Sequence, residues 1–351
     1  MSWINKDKPY IIAGPCSAES ELQLLQTAKQ LQAIGKVSAI RAGVWKPRTR
    51  PGSFEGIGVP ALDWLSTVKK ETGLSVMTEV GNPHHVEAAL KAGIDQLWIG
   101  ARTTVNPFYV QEIAEALKGV DIPVMVKNPI HPEIGLWIGA IERFQTVGIS
   151  NIAAIHRGFY TYESAPFRNE PKWEIAIELR HLAPNIPIIC DPSHIAGKPE
   201  LIKEVSQTAF DLNFDGLMVE SHFQPERALS DKEQQVTPKF LAQLLDELVI
   251  RSDSSDNTEF QEHLRLLRTK IDQIDMDLLQ VLAKRMNITA EIGKFKQANN
   301  VTIFQLNRWF EILESRKDWG TSKGLSENFV YELYQLIHKN SIRVQTDVMK
   351  P

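Results

Sequence analysis

Long apolar runs are missing from this 351-residue chain. A membrane-spanning helix needs about 18 or more consecutive apolar residues, so none is expected. Cysteine is scarce: Cys16 and Cys190 are the two in the sequence, too few for a disulfide framework. Charge of one sign is not in excess either. Thirty-nine basic residues face 43 acidic ones, for a net charge of −4, which gives no field to draw nucleic acid or a membrane surface. The first ten residues, MSWINKDKPY, lack the apolar core of a signal peptide, so a reducing cytoplasm is the expected compartment. No Gly-x-Gly-x-x-Gly follows the first apolar run, which removes the usual mark of a dinucleotide-binding sheet. Proline is absent from residues 251–350, although residues 1–250 hold eighteen of the 19.

What is present divides at that boundary. Residues 9–249 alternate short apolar runs with helix-like stretches closed by glycine. The runs are YIIAG (10–14), VSAIRAG (37–43), LSVMTEV (74–80), QLWIGA (96–101), VMVKN (124–128), IAAIH (152–156), PIICD (187–191) and GLMVES (216–221). Strands alternating with helices predict a parallel sheet. Eight such units in about 240 residues favour a closed (β/α)₈ barrel within the α/β class, with an open doubly wound sheet as the alternative. Residues 251–259, RSDSSDNTE, are polar and aperiodic and read as a linker. From 260 to 351 an all-α domain is predicted. Leu264, Leu267, Ile271, Ile274, Leu278 and Val281 alternate three and four apart, the spacing of a coiled-coil-like seam. A helix running to about 298 cannot bury that stripe alone, so a partner is implied. Two further helices are expected, over about 304–318 and 326–345.

The active site of a (β/α)₈ barrel lies at the C-terminal ends of its strands. Those ends carry Arg41, Lys46, Arg102, Lys127 and Arg157, with His156 beside the last. Any one cation alone reads as a solvated loop residue. Five on successive strand ends would repel unless an anion sat among them, and guanidinium and ammonium groups both bind phosphate and carboxylate. A second set is Cys16, His194, Glu220 and Asp231. One thiol, one imidazole and two carboxylates can hold a divalent ion: Mn²⁺, Fe²⁺, Zn²⁺ and Co²⁺ all accept such mixed donors. Cys190, inside an apolar run, reads as core. His84, His85, His131, His181 and His222 read as loop or surface residues. A metal beside a phosphate and carboxylate site points to Lewis-acid activation of a carbonyl.

GPCSAES, IRAGVWKPRTRPGSF, IGARTT, VKNP, HRG, DPSH and VESHFQPERALSDKEQQ follow one another over 10–240, one near each of seven strand ends. Together they resemble the motif series of the 3-deoxy-D-arabino-heptulosonate 7-phosphate (DAHP) synthases, in their compact type I branch. The resemblance implies a condensation of phosphoenolpyruvate with erythrose 4-phosphate. The enol carbon attacks the metal-polarised aldehyde, water adds to the resulting cation, and phosphate leaves by C–O cleavage. It assigns Cys16, His194, Glu220 and Asp231 to the metal, with Mn²⁺ ahead of Fe²⁺, Zn²⁺ and Co²⁺. Arg41, Lys46, Arg102, Lys127 and Arg157 would surround phosphoenolpyruvate. Arg48 and Thr49 would contact the four-carbon sugar, and Lys46 would give a proton to the new alkoxide. The neighbouring family, the octulosonate phosphate synthases, uses arabinose 5-phosphate; Lys-Pro-Arg-Thr favours the four-carbon acceptor.

In the second domain LLRTKIDQID, AKR, GKFK, NRW and SIRVQ, spread over about 260–346, resemble the all-helical class of chorismate mutase. The implied ligand set is Arg268, Arg285, Lys296, Arg308, Ser341 and Gln345, with Arg285, Lys296 and Gln345 catalytic. Arg285 and Lys296 are three helical turns apart on one face, and Ser341 and Gln345 are an i,i+4 pair. Arg268 falls roughly 100° off the face of Arg285. That fits an arginine supplied by a partner protomer, so a homodimer or higher homo-oligomer through this domain is expected. The pericyclic conversion of chorismate to prephenate needs a pocket that holds a dicarboxylate compactly and no nucleophile. Acidic residues usual in such pockets are here Gln305 and Trp309. A ligand-sensing, non-catalytic domain that regulates the barrel is therefore the alternative expectation.

Overall fold

The computed structural model describes residues 3–4, 8–47, 52–162, 166–252 and 254–350. The chain divides into two compact units, Met1–Asp253 and Ser254–Pro351. In the first, eight strands run in order: β1 (Tyr10–Gly14), β2 (Ala39–Arg41), β3 (Ser75–Val80), β4 (Gln96–Ile99), β5 (Val124–Lys127), β6 (Ile152–His156), β7 (Ile188–Cys190) and β8 (Gly216–Glu220). Each pairs in parallel with the next, and β1 closes on β8 from Tyr10↔Gly216 to Gly14↔Glu220. The expected closed (β/α)₈ barrel is the fold, and the open sheet is excluded.

Around it lie α1 (Glu21–Gln32), α2 (Pro60–Thr72), α3 (Pro83–Lys91), α4 (Ala101–Thr104), α5 (Pro107–Ala116), α6 (Ile134–Thr146), α7 (Trp173–Leu182), α8 (Pro192–Ala196), α9 (Ile202–Asp211) and α10 (Pro238–Glu247). Local chemistry sets their ends. Ser20 caps α1 by accepting from Gln23 N at 3.2 Å, and Gly73 ends α2 in the left-handed conformation. Leu24, Thr27, Ala28 and Leu31 recur at helical spacing and form the buried face of α1.

Strand parity builds two cores. Residues pointing outward, such as Val76, Leu97 and Val126, pack with Leu24, Leu65, Trp137 and Phe144 of the helices. Residues pointing inward fill the barrel: Ile12, Ala39, Met77, Trp98, Met125, Ala153, Ile155, Ile189 and Met218, with Ile4 among them. Each fully buried aliphatic side chain contributes about 1.5–3 kcal/mol. Two residues beyond inner Ala39, Met77, Met125 and Met218 come Arg41, Glu79, Lys127 and Glu220, so the same alternation turns these four toward the barrel axis. Gly14 completes that level with φ +146°; a Cβ there would sit 2.1 Å from the Arg41 carbonyl oxygen.

Parity also corrects one residue of the rim. His156 follows inward Ile155, so it turns outward and packs among Trp137, Trp173 and Phe214 at centroid distances of 5.2–6.2 Å. Burial lowers it to about 3. Cys190 shares the outward core, as its apolar setting predicted. His222 is not a surface residue: it is buried, and its Nδ1 accepts from Gln224 N at 2.8 Å.

The second unit holds α11 (Thr258–Ala298), α12 (Leu306–Thr321) and α13 (Glu327–Met349). Asn257 caps α11 by accepting from Phe260 N at 3.0 Å, so Thr258 and Glu259 of the polar 251–259 segment already belong to the helix. Helices α11 and α13 approach closely at Gly293, where a Cβ would lie 3.2 Å from Gln345 Cα. The seam positions stay open: Ile271, Ile274, Leu278 and Val281 are 53–63% exposed. Among the described residues no helix is long and apolar enough to cross a membrane.

Candidate active sites

The four inward groups form the floor of the barrel's mouth. Arg41 is 1% exposed, and its Nη2 lies 3.1 Å from Glu220 Oε1. Its Nε and Nη1 have no partner. Its guanidinium stands 4.9 Å over the Trp98 ring. Unsatisfied N–H groups on two nitrogens of a fully buried guanidinium are costly and require explanation. Lys127 Nζ donates to Asp191 Oδ2 at 2.7 Å, and burial lowers this ammonium despite that partner.

Loops add the remaining groups. Cys16 follows β1; its Sγ lies 3.0 Å from Ser230 Oγ and 3.3 Å from Asp231 Oδ2. Asp231 sits at φ 44°, a left-handed backbone that aspartate tolerates better than most residues. Gln234 Nε2 donates to Glu220 Oε2 at 2.6 Å. Cys16, Glu220 and Asp231 offer ligand atoms all within 4.8 Å of one another. His194, in the first turn of α8, is not part of that group; its Nε2 lies 3.8 Å from Glu220 Oε1, at the edge of the cluster. Burial lowers His194, which favours the neutral imidazole that a metal ligand must be. Burial pushes the Cys16 thiol up to about 12, with Glu220 adding to the rise. A divalent cation among one sulfur, one imidazole and two carboxylates would reverse that penalty, so the donor set fits the ion expected.

Lys46 Nζ reaches Cys16 Sγ at 3.1 Å and Cys16 O at 3.2 Å. Burial works to lower Lys46, but Cys16, Glu79 and Glu220 outweigh it and hold the ammonium above its usual value. Arg102 stands on α4, just past β4, and its Nη1 reaches the Pro47 carbonyl at 3.3 Å. Arg157 donates from Nη1 to Asn169 Oδ1 at 2.7 Å, and burial brings it down to about 10. A cavity of about 330 Å³ draws these together: Lys46, Arg102, Lys127, Arg157, His194 and Asp231 all line it. Arg48 and Thr49 lie outside the described residues.

Sequence reasoning missed several members. Glu79 lines the cavity and accepts from Trp98 Nε1 at 3.0 Å; its inward parity was the available signal. Arg168 donates to Asp231 Oδ1 at 3.2 Å and to Gln234, and Asn169 Nδ2 holds the His194 carbonyl at 2.7 Å. No local pattern marks these two, because they come from the loop after β6.

In the helical unit Arg285 Nη1 donates to Ser341 Oγ at 2.7 Å, joining α11 to α13. Gln345 lies one turn on, buried against Gly293, and its Oε1 has no partner. Lys296 Nζ reaches the Ile303 carbonyl at 2.6 Å. Burial lowers Arg285, a cost that an anionic ligand would offset. Trp309 stacks on His338 at 3.9 Å, so the position where an acid is usual holds an aromatic pair. Two expected residues are not brought into this group: Arg308 is exposed and pairs with Glu311, and Arg268 is exposed on α11.

Comparison with known proteins agrees with both halves. The family model described as "DAHP synthetase I family" matches residues 3–254, and that of "Chorismate mutase type II" matches residues 267–346. The phospho-2-dehydro-3-deoxyheptonate aldolase of Thermotoga maritima is 33% identical over 245 residues, 70% of each chain. The 2-dehydro-3-deoxyphosphooctonate aldolase of Paraburkholderia phymatum is 27% identical over 284 residues, 74% of this chain and 96% of its own. The crystal structure of the Thermotoga maritima aldolase (DAHP synthase) matches with TM-score 0.63 at 30% identity, over 70% of this chain and 69% of that one. A truncated form of that synthase matches with TM-score 0.61 at 28% identity, over 70% and 86%. The chain belongs to the DAHP synthetase I family and carries a type II chorismate mutase domain behind its synthase barrel.

Proposed function

We propose that the barrel, residues 1–250, condenses phosphoenolpyruvate with erythrose 4-phosphate to DAHP and phosphate. Residues 260–351 then rearrange chorismate to prephenate, with 251–259 joining the two domains. The observation that carries the first reading is the buried Arg41, two of its nitrogens unpartnered beside the Cys16, Glu220 and Asp231 cluster. Such a guanidinium supports a bidentate anion, although Arg41 itself is buried behind the cavity and does not line it. Arg102, Lys127 and Arg157 converge on the same anion from the cavity wall, and Arg48 and Thr49 contact the acceptor sugar. Cys16, His194, Glu220 and Asp231 hold the divalent ion, Mn²⁺ in the first instance. When bound, that ion supplies Lewis-acid activation of the aldehyde. Lys46 stays protonated at neutral pH and its Nζ lies against Cys16, so it is placed to deliver a proton to the forming alkoxide. Phosphate release from the two substrates, with and without chelator, tests this; chelator-insensitive turnover overturns the metal role. Faster turnover of arabinose 5-phosphate would replace the acceptor.

In the helical domain Arg285 and Ser341 bind a carboxylate, while Lys296 and Gln345 face the ether oxygen. Arg268 enters the pocket of a second protomer, and Arg308 closes on the ligand from α12. The open seam on α11 supports a homodimer through this domain. The Trp309–His338 stack favours a second role. With an aromatic pair where an acid usually orients the substrate hydroxyl, the domain also senses prephenate or chorismate and regulates the barrel. The two reactions are not consecutive, so control of the entry step by a later metabolite explains the fusion better than passage of an intermediate. Prephenate that leaves the synthase rate unchanged would remove the sensing role. Both substrates and the single thiol ligand fit a reducing cytoplasm.

A further inference from the structure

One buried acid at the barrel mouth has no part in the ligand set or in the anion site. Asp191 directly follows β7 and is fully buried. It accepts three hydrogen bonds. The His194 backbone N–H and His194 Nδ1 reach its Oδ1 at 3.1 and 2.9 Å, and Lys127 Nζ reaches its Oδ2 at 2.7 Å. Asp191 is therefore a fixed negative charge between two groups that serve different ligands.

The consequence for His194 is a choice of tautomer. A neutral imidazole has one N–H and one lone pair. Beside a carboxylate, the N–H belongs on Nδ1. The lone pair is then on Nε2, which faces Glu220 Oε1 at 3.8 Å and the cluster with Cys16 and Asp231. Asn169 pins the same residue by its backbone carbonyl. The consequence for Lys127 is a counter-charge. Without it this buried ammonium would lose its hydrogen-bonded counter-charge and keep only the more distant Glu79.

We propose that Asp191 is a positioning residue shared by the two halves of the synthase site: it presents His194 Nε2 to the metal and holds Lys127 Nζ at the substrate anion. This rests on the ligand set given above. It also explains why the Asp-Pro-Ser-His run places its aspartate and histidine three apart: the aspartate caps α8 and reaches the histidine ring of the same turn.

Asp191→Asn keeps the volume and the capping oxygen but removes the charge. Binding of Mn²⁺ alone to the full chain, read by calorimetry, should weaken ten- to hundredfold, the usual cost of losing such a partner. At saturating Mn²⁺ the KM for phosphoenolpyruvate should rise about tenfold, while that for erythrose 4-phosphate stays within twofold. Mn²⁺ affinity within twofold of the wild type overturns the proposal. His194→Ala separates the two levels. If it loses Mn²⁺ affinity while Asp191→Asn does not, the positioning role fails alone; if neither loses it, the ligand set falls as well. Should Asp191→Asn not fold, Asp191→Glu keeps the charge and displaces the acceptor, and wild-type Mn²⁺ affinity there overturns the proposal equally.

Discussion

In the barrel Trp98, Trp137 and Phe144 are fully buried, whereas on α11 Ile271, Ile274, Leu278 and Val281 stand largely in solvent. The two regions have similar apolar resources, so composition does not explain the contrast. A closed barrel gives every strand two covered faces, one against the axis and one against the helices. A 41-residue helix beside shorter neighbours leaves part of its stripe without a facing element. The barrel thus completes its core within one chain, while the helical unit presents an unfinished one.

Five measurements break or sharpen that contrast. Phe144→Ala in the barrel should cost about 3–5 kcal/mol in denaturant unfolding, at any protein concentration. A cost that vanishes on dilution would mean that the barrel also relies on a partner. Arg285→Ala should lower mutase kcat about 10²–10³-fold and leave the synthase rate unchanged. Unaltered mutase turnover would refute the catalytic assignment. Ile274→Asp should weaken self-association at least about 100-fold, close to 2.7 kcal/mol, seen as a monomer by light scattering. A variant of wild-type mass would show that this seam is not a self-association surface.

His156→Leu tests the outward core by pH. His156 titrates at about 3 when folded and at about 6.5 when unfolded, so the unfolded chain binds the extra proton between those values. Its contribution is intact above about pH 6.5 and is lost as pH falls toward about 3, costing about 2 kcal/mol at pH 5. The Leu variant should show an acid limb flatter by that amount; an identical limb removes His156 as its source. Smallest is Glu71→Gln, which breaks the exposed pair with Lys29. It should cost under about 1 kcal/mol and vanish in high salt. A larger loss would show that this surface pair is part of a network.

Much of the barrel was legible because its information is local. Gly closing helices, recurring β-rich runs and a motif near seven of the eight strand ends mark eight units and their order. Lys46, Arg102, Lys127 and Arg157 were read from position alone, and the cavity holds all four. His156 was misread at the same rim, since an end-of-strand count ignores parity. Glu79 was overlooked for the same reason in reverse: it points inward but sits one residue short of its strand's end. Asn169 and Arg168 reach the site through a loop, and loop paths carry no periodic signature.

By itself, then, the sequence determined the element order, the chemical types gathered at the barrel mouth and the seam on α11, because each rests on spacing along one segment. Only the tertiary structure decided that Arg41 stands buried with two unpartnered nitrogens, that Asp191 meets Lys127, and that Arg285 meets Ser341 while Arg268 does not join them. Those facts depend on distances between segments tens of residues apart, which barrel closure and helix packing set and no local pattern encodes.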